Sequence, residues 1–228
     1  MSGRKTFTAG EVLQAADVND FLMDQSVMVF AGTAARGSAI PSPSEGMVTY
    51  RSDDDAVEVY DGSSWNAVGP GKILQVVSTT KTDPTTIALS AGNFSSNISG
   101  LEATITPIST SSKILVQVSL TGARVNDLPF LYARLVRGAT PIGVGTAAGS
   151  RPALTMSSDI ITSSRTNSIV TISSATLDTP ASTSALTYGV QLYSPDAQTY
   201  AICRSAGDSD NSANVRTISS ITLMEVAG

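Results

Sequence analysis

From Lys72 onward the sequence is a succession of short apolar stretches rich in β-branched residues, and no segment keeps a helical period. Gly, Asn, Asp and Pro fill the gaps between these stretches, as in chains that turn from one strand to the next. In the most regular stretch, Tyr188, Val190 and Leu192 alternate with other residues and fall on one face. The pattern predicts a sandwich or jelly roll with strands at 73–77, 85–89, 101–106, 114–120, 130–136, 142–144, 168–172, 186–193, 199–203 and 218–226.

The region before Lys72 divides into two parts. Residues 26–70 form a small β unit, with a tight-turn signal at Asp61-Gly62. Such a unit holds few apolar residues, so we expect symmetry mates or a platform to complete it. Gly69-Pro-Gly71 predicts a hinge, after which residues 71–228 form the C-terminal domain. The strands expected in the small unit lie at 27–30, 47–50, 57–60 and 65–68.

Residues 1–25 predict one or two short helices. Thr8-Ala-Gly-Glu11 has the form of a capping box, whose hydroxyl and carboxylate satisfy free N–H groups at a helix start. Asp17-Val-Asn-Asp20 is a second candidate start. Helices this short are unstable alone, so they must dock, either as a cap on the adjacent domain or as an anchor on a partner. The apolar side chains available to an anchor are Phe7, Val12, Leu13, Val18, Phe21 and Leu22.

Charge and residue content exclude several classes of function. The net charge is −5 and the 14 basic residues are scattered, whereas nucleic-acid binders cluster them, so no nucleic-acid partner is expected. Histidine is absent, which excludes Ser-His-Asp and Cys-His catalysis and most zinc sites. We therefore expect no enzyme activity, no metal and no cofactor. No run is apolar enough for membrane insertion and no export signal is apparent, so synthesis in a host cytoplasm is expected.

No individual cluster of residues in the sequence strongly indicates a binding or catalytic site. Asp53-Asp-Asp55 is predicted to be a solvated turn, because adjacent side chains of a strand face opposite ways. The loop Gly207-Asp-Ser-Asp-Asn211 offers oxygen ligands of the kind calcium prefers, but it lacks the later glutamate of an EF-hand, and a plain exposed loop is favoured. Cys203 is predicted to be a buried strand residue. Three tyrosines can stack on sugar rings but more often pack within strands, so no binding residue is assigned: Tyr132, Tyr193 and Tyr200.

Stretches in three regions of the sequence resemble tailed-bacteriophage fibre and minor structural proteins. The N-terminal stretch is Thr6-Phe-Thr-Ala-Gly-Glu-Val-Leu-Gln-Ala-Ala-Asp-Val-Asn19, and Val57-Glu-Val-Tyr-Asp-Gly-Ser-Ser-Trp65 is similar to a companion module of such proteins. In the C-terminal domain, Arg134-Leu-Val-Arg-Gly138 and Ile218-Ser-Ser-Ile-Thr-Leu-Met-Glu-Val226 resemble distal fibre domains. Domains of that type look like tumour-necrosis-factor-like trimeric jelly rolls, whose final strand runs through the trimer centre.

The resemblance implies a homotrimeric virion protein without catalytic residues. Its N-terminus would attach to capsid or tail proteins, and its C-terminal head would face outward from the virion surface, where a host-surface glycan or protein is a further candidate partner. An apolar last strand can bury against two symmetry mates, and trimerisation hides strand edges. The residues expected in the trimer core are Ile218, Ile221 and Leu223.

Four functions are therefore weighed. The first is a homotrimeric surface fibre or spike, associated with the tail and used in host attachment, and the alternative is a head decoration or capsid fibre docked through the N-terminus. A depolymerase would cut glycans with paired carboxylates, but acids are scarce in the predicted strands. A monomeric lectin-like domain would have the native mass of a single chain, whereas a fibre would have the mass of three.

Overall fold

The computed structural model describes residues 8–12, 14–18, 26–69, 72–125, 130–158 and 167–228. The chain divides into two compact units, residues 1–71 and 72–228, and the boundary lies beside the predicted hinge. Strands dominate both units, so the protein is all-β, as the sequence predicts.

The first unit is a small four-stranded sheet with short helical segments. Its elements are α1 (Ala15–Val18), β1 (Met28–Phe30), α2 (Thr33–Ala39), β2 (Val48–Arg51), β3 (Ala56–Tyr60) and β4 (Trp65–Ala67). The strands lie in the order β1-β2-β3-β4, and only the β1–β2 pair is parallel. Among the described residues of this unit, the only buried side chains are those of Arg36, Thr49 and Glu58.

An ion cluster occupies the buried positions among the described residues of the first unit. The Glu58 carboxylate contacts the Arg36 guanidinium and also lies 3.1 Å from Arg51 Nε. The Arg36 guanidinium carbon lies 4.5 Å from the centroid of the Trp65 ring, a cation–π contact. Burial, followed by the nearby Arg51 charge, lowers the pKa of Arg36. Because buried charges are stable only when paired, Glu58 ties α2 to the sheet.

Strands of the second unit follow one another with short connections. They are β5 (Ile73–Lys81), β6 (Thr85–Leu89), β7 (Asn93–Phe94), β8 (Glu102–Ile105), β9 (Lys113–Arg124), β10 (Leu131–Arg137), β11 (Thr140–Ile142), β12 (Met156–Ser158), β13 (Val170–Asp178), β14 (Leu186–Ser194), β15 (Gln198–Ile202) and β16 (Ser219–Val226).

These strands form two antiparallel sheets, giving a jelly-roll-like sandwich. Sheet I has the order β5-β16-β9-β15-β6, with β13 beside β9. Sheet II has the order β11-β10-β14-β7, with β12 beside β10 and β8 beside β14. The last strand, β16, therefore lies between the first strand of the unit, β5, and the long central strand β9.

The core lies between the sheets and is filled by alternate residues of each strand. Tyr188, Val190 and Leu192 are all completely buried, which confirms the predicted alternation of β14. Cys203 is completely buried as well, as predicted, but it follows the end of β15 in a bend with a φ of 61° and is not a strand residue. The pleat that sends these side chains inward sends their neighbours to the outer faces, where any contact with a partner must be made.

A polar link crosses the core from one sheet to the other. The Asp178 carboxylate on β13 accepts hydrogen bonds from Arg137 Nη1 at 2.6 Å and from the Tyr188 hydroxyl at 2.7 Å. Burial, and after it the Asp178 charge, raises the pKa of Tyr188 far above its usual range. The phenol therefore remains a hydrogen-bond donor, and the carboxylate holds β10 and β14 against sheet I.

The structure departs from the sequence-based expectations at five elements. Residues 8–11 form a turn in which Glu11 Oε2 accepts from Thr8 N at 3.0 Å, and the helix begins later, at Ala15, so the predicted helix start at Thr8 is wrong. The strand expected at 142–144 lies instead at β11, Thr140–Ile142, and helix α2 and the very short strands β7 and β12 were not predicted. These strands have only two or three residues and exist because β14 and β10 offer them an edge.

Replacing Gly122 tests how tightly sheet I is packed. A Cβ at Gly122 would lie 2.4 Å from the carbonyl oxygen of Ala201, so we expect Gly122→Ala to lower the free energy of unfolding by about 1–3 kcal/mol. Gly145→Ala is the matched control, because its new Cβ would lie 3.8 Å from the nearest atom, the Leu154 carbonyl oxygen. Urea unfolding measures both, and equal stabilities would contradict the close approach.

Candidate functional site

The residues expected to anchor the N-terminus lie only partly within the described part of the chain. Val12 is 72% exposed and Val18, in α1, is half-buried. The other four expected anchor residues, Phe7, Leu13, Phe21 and Leu22, fall outside the described residues. An exposed Val12 is available for a contact with a partner.

The residues expected in a trimer core separate into two environments. Ile221 and Leu223 are completely buried within the core of the single chain, because alternate residues of β16 face sheet II. Ile218, just before β16, is 57% exposed. Any contact between copies made by β16 must therefore use its opposite face, which carries Ser220, Thr222, Met224 and Val226.

The outer face of sheet I carries three rows of side chains that cross four strands. Cross-strand neighbours are fixed by the pairing of β16 with β5 and β9, and of β9 with β13. We call these twelve positions the neutral face. Its hydroxyl row is Thr80, Ser220, Ser119 and Ser173, its middle row is Ser78, Thr222, Gln117 and Ala175, and its apolar row is Val76, Met224, Leu115 and Leu177.

The chemistry of the neutral face is unusual for a solvent-exposed sheet. None of its twelve side chains is charged. Val76 is 56% exposed and Leu177 is 52% exposed, at opposite ends of the apolar row. Ser78 and Thr222 share a hydrogen bond of 2.9 Å between their hydroxyls. An exposed apolar band beside small hydroxyls is a candidate contact surface, since large apolar patches on soluble proteins mark interaction sites.

The outer face of sheet II carries aromatic side chains. An aromatic row crosses three strands, because Tyr132 on β10 pairs with Tyr193 on β14, and Tyr193 pairs with Phe94 on β7. All three side chains are half-buried. The rings of Phe94 and Tyr193 lie 5.0 Å apart between centroids and are tilted at 48°. Tyr200, the third sugar-stacking candidate of the sequence, is completely buried and is removed from that group.

A chain of polar side chains runs beside the aromatic row. Arg134 donates from Nε at 3.0 Å and from Nη2 at 2.8 Å to Gln191 Oε1. Gln191 Nε2 donates to Asn97 Oδ1 at 3.1 Å, and Asn97 Nδ2 donates to Glu102 Oε1 at 2.7 Å. The Arg134 guanidinium also lies 3.5 Å from the centroid of the Phe94 ring, and burial lowers its pKa. We call the aromatic row and this chain together the outer patch.

The candidate calcium loop is held by arginines. Asp208 contacts the Arg216 guanidinium, and its second oxygen lies 3.6 Å from Arg204 Nε. The charge of a carboxylate engaged in this way is balanced by the guanidinium groups and needs no metal ion. Within the described ranges, no three His, Cys, Asp or Glu side chains come together to hold a metal ion. Asp53 to Asp55 form an exposed turn, as predicted, with Arg51 contacting Asp53 and Asp54.

Glu225 is a completely buried carboxylate that the sequence did not single out. It accepts hydrogen bonds from the backbone N–H of Ile108 at 2.7 Å and from Gln75 Nε2 at 2.5 Å. Burial alone raises the pKa of Glu225, but the neighbouring Ser112 hydroxyl and these donors outweigh it, and the net pKa is lowered. An acid this well satisfied fastens β16 to the 106–112 loop and is unsuited to proton transfer.

No protein-family model matches the chain, and no curated protein matches it either. In the part of the chain that the structure describes, no helix combines the length and the apolar character needed to cross a membrane. The two outer faces were missed by sequence reasoning because their members come from strands far apart in the chain. The one local signal was the alternation of β16, which separates Ile221 and Leu223 from Thr222 and Met224.

The lowered pKa of Glu225 predicts a pH-dependent contribution to stability. A group whose folded pKa is depressed stabilises the fold above its unfolded pKa, about 4.3 for Glu, and loses that contribution as the pH falls through the folded pKa. We expect Glu225→Gln to be less stable than the wild type at pH 7, with the difference shrinking below about pH 4. Urea unfolding across this pH range measures it, and a constant difference would contradict the assignment.

Proposed function

We propose that this chain is a non-enzymatic structural virion protein that forms a homotrimeric surface fibre or spike, associated with the tail and used in host attachment. The observation that carries the proposal is the neutral face of sheet I. The N-terminal resemblance to tailed-bacteriophage fibre proteins supports the virion assignment. The alternative is a head decoration or capsid fibre of the same build.

The absence of charge on the neutral face supports self-association about a symmetry axis. On such an axis a residue meets copies of itself, so a charged side chain would face like charges. Rows of hydroxyl and apolar side chains avoid this repulsion between like charges. A hydroxyl can also donate a hydrogen bond to one copy and accept one from another. A third of the face is the apolar row, whose burial between copies would supply the hydrophobic driving force.

The first unit supports the same assignment from a second direction. Its buried side chains within the described residues are polar or charged, so its sheet gains little stability from apolar burial. Val29 is 68% exposed and Val57 is 37% exposed on its strands. Association of three copies would add apolar burial to that of the described residues of this unit.

Three carboxylates of the second unit are held by partners in a way that supports a non-enzymatic role. Asp178 is bound by Arg137, Asp196 pairs with Arg124 at 2.5 Å, and Glu225 is buried and hydrogen-bonded. A glycan-cleaving enzyme needs two carboxylates facing one bond, one of them free to carry a proton. These three are each engaged elsewhere.

A charge placed on the apolar row tests the trimer. We expect the wild-type protein to have a native mass of three chains and Val76→Glu to have that of one, because the new carboxylates would meet at the axis. Val76 is 56% exposed in the single chain, so the fold itself should tolerate the change. Thr104→Glu, at an exposed position of sheet II, is the control and should leave the mass unchanged. Light scattering after size-exclusion chromatography gives each mass, and a monomeric wild type would overturn the trimer.

Labelling of intact particles tests the virion assignment. We expect gold-labelled antibodies raised against residues 72–228 to mark the tail or its tip in electron micrographs. Label over the capsid would replace the tail assignment with the decoration alternative. Purified particles without label would contradict a virion role, and particles lacking the protein serve as the control for antibody specificity.

A further inference from the structure

The outer patch of sheet II combines two features that recognise carbohydrate. Its aromatic row presents three neighbouring rings, and its polar chain presents a guanidinium, two amides and a carboxylate beside them. A pyranose ring has an apolar C–H face that packs on an aromatic ring and hydroxyl edges that bind planar polar groups. We infer that the outer patch is a glycan-binding site that takes a short stretch of hexose polymer.

The dimensions of the aromatic row suit a saccharide. Tyr132, Tyr193 and Phe94 lie on three adjacent strands, so the row spans two strand spacings, about 10 Å, which is close to the length of a disaccharide. The pleat directs these side chains away from the core, because their neighbours Leu131 and Leu192 point inward and are completely buried. The three rings therefore lie on the outer face of sheet II, where the Arg134 guanidinium covers one face of the Phe94 ring.

The polar chain leaves binding groups free on its solvent side. Arg134 uses Nε and Nη2 on Gln191 and packs on the Phe94 ring, while its Nη1 donates no hydrogen bond to the described residues. Glu102 accepts from Asn97 through Oε1, and the described part of the chain offers no donor to its Oε2. A free donor and a free acceptor at the two ends of the chain match sugar hydroxyls, which both donate and accept.

Contacts within the patch fix these groups before any ligand arrives. Gln191 is held between Arg134 and Asn97, and Asn97 covers Gly189, where a Cβ would lie 2.7 Å from Asn97 Nδ2. Tilted packing of Phe94 on Tyr193 restrains both rings. Side chains that are already ordered lose little conformational entropy on binding, so the patch can hold a weakly interacting ligand such as a sugar.

A cleft at the end of the aromatic row extends the site. It has a volume of about 510 Å³ and adjoins Phe94 and Asn97. Its lining is rich in hydroxyl and amide groups rather than charges, including Asn93, Ser96 and Ser99. A second or third sugar unit that extends past Phe94 would enter surroundings that offer hydrogen bonds without a charge preference, which favours neutral hexoses.

This inference rests on the proposed role in host attachment, for which it names the ligand. The patch lies on sheet II, whereas the proposed contact between copies lies on sheet I, so a trimer built through the neutral face would leave all three patches open. Three open patches would bind a repetitive polysaccharide with higher avidity than one.

The test is binding of the full-length protein to an array of immobilised bacterial-surface oligosaccharides and plain hexose polymers. We expect retention of a subset of hexose-containing glycans, at least tenfold weaker binding by Tyr193→Ala and by Glu102→Ala, and wild-type binding by Tyr193→Phe, which keeps the ring. Glu102 is exposed, so its loss tests the site without threatening the fold. Tyr60→Ala removes a comparable aromatic pair in the first unit, 5.3 Å from Trp65, and is the control.

The outcomes separate this inference from the proposed function. No retained glycan, or undiminished binding by both alanine variants, would overturn the glycan site, while label on the particle would still support the fibre. If the protein binds a glycan, Tyr193→Ala loses that binding, and purified particles carry no label, then the glycan site is supported and the virion role is overturned.

Discussion

The pairing of β9 is the constraint on which the rest of the second unit depends. This long strand pairs with β13, β16 and β15, and its inward residues form the centre of the core. Because β16 must lie between β9 and β5, the sheet is complete only when the two ends of the unit have met. Forming contacts between residues so far apart in the sequence has a large unfavourable loop-closure entropy, which the burial of the core must offset.

The same pleat that builds this core also produces two outer faces with opposite chemistry. Sheet I presents neutral side chains in rows, and sheet II presents aromatic rings beside charged and amide groups. In β16 a core residue and an outward residue alternate at every step, as with Leu223 beside Met224, and in β14 the buried Leu192 stands beside the half-buried Tyr193. The inward residues of these strands therefore stabilise the fold, and in our proposal their outward residues bind two different partners.

The sequence predicts those features of the fold that depend on neighbouring residues in the chain, and misses those that depend on contacts between distant strands. Nine of the ten strands expected after Lys72 are present and the tenth, expected at 142–144, shares only Ile142 with β11, because alternation of β-branched and apolar residues is a property of each strand alone. Helix α2 was missed because it lacks an apolar period and is tied to the sheet by the Arg36–Glu58 pair. The burial of Ile221 and Leu223 in the single chain, and the meeting of Arg134, Gln191 and Asn97, depend on pairings across the whole fold, which periodicity cannot reveal.

The burial of Cys203 has a consequence for the environments that the protein can withstand. Its thiol is the only one in the chain, and its Sγ lies 3.4 Å from both the Lys81 carbonyl oxygen and Ser219 Oγ. A thiol enclosed in this way can neither form a disulfide within the chain nor reach one in a neighbouring copy. The fold therefore contains no covalent bond that depends on redox potential. A change from a reducing to an oxidising medium would therefore leave the covalent connectivity of this domain unchanged.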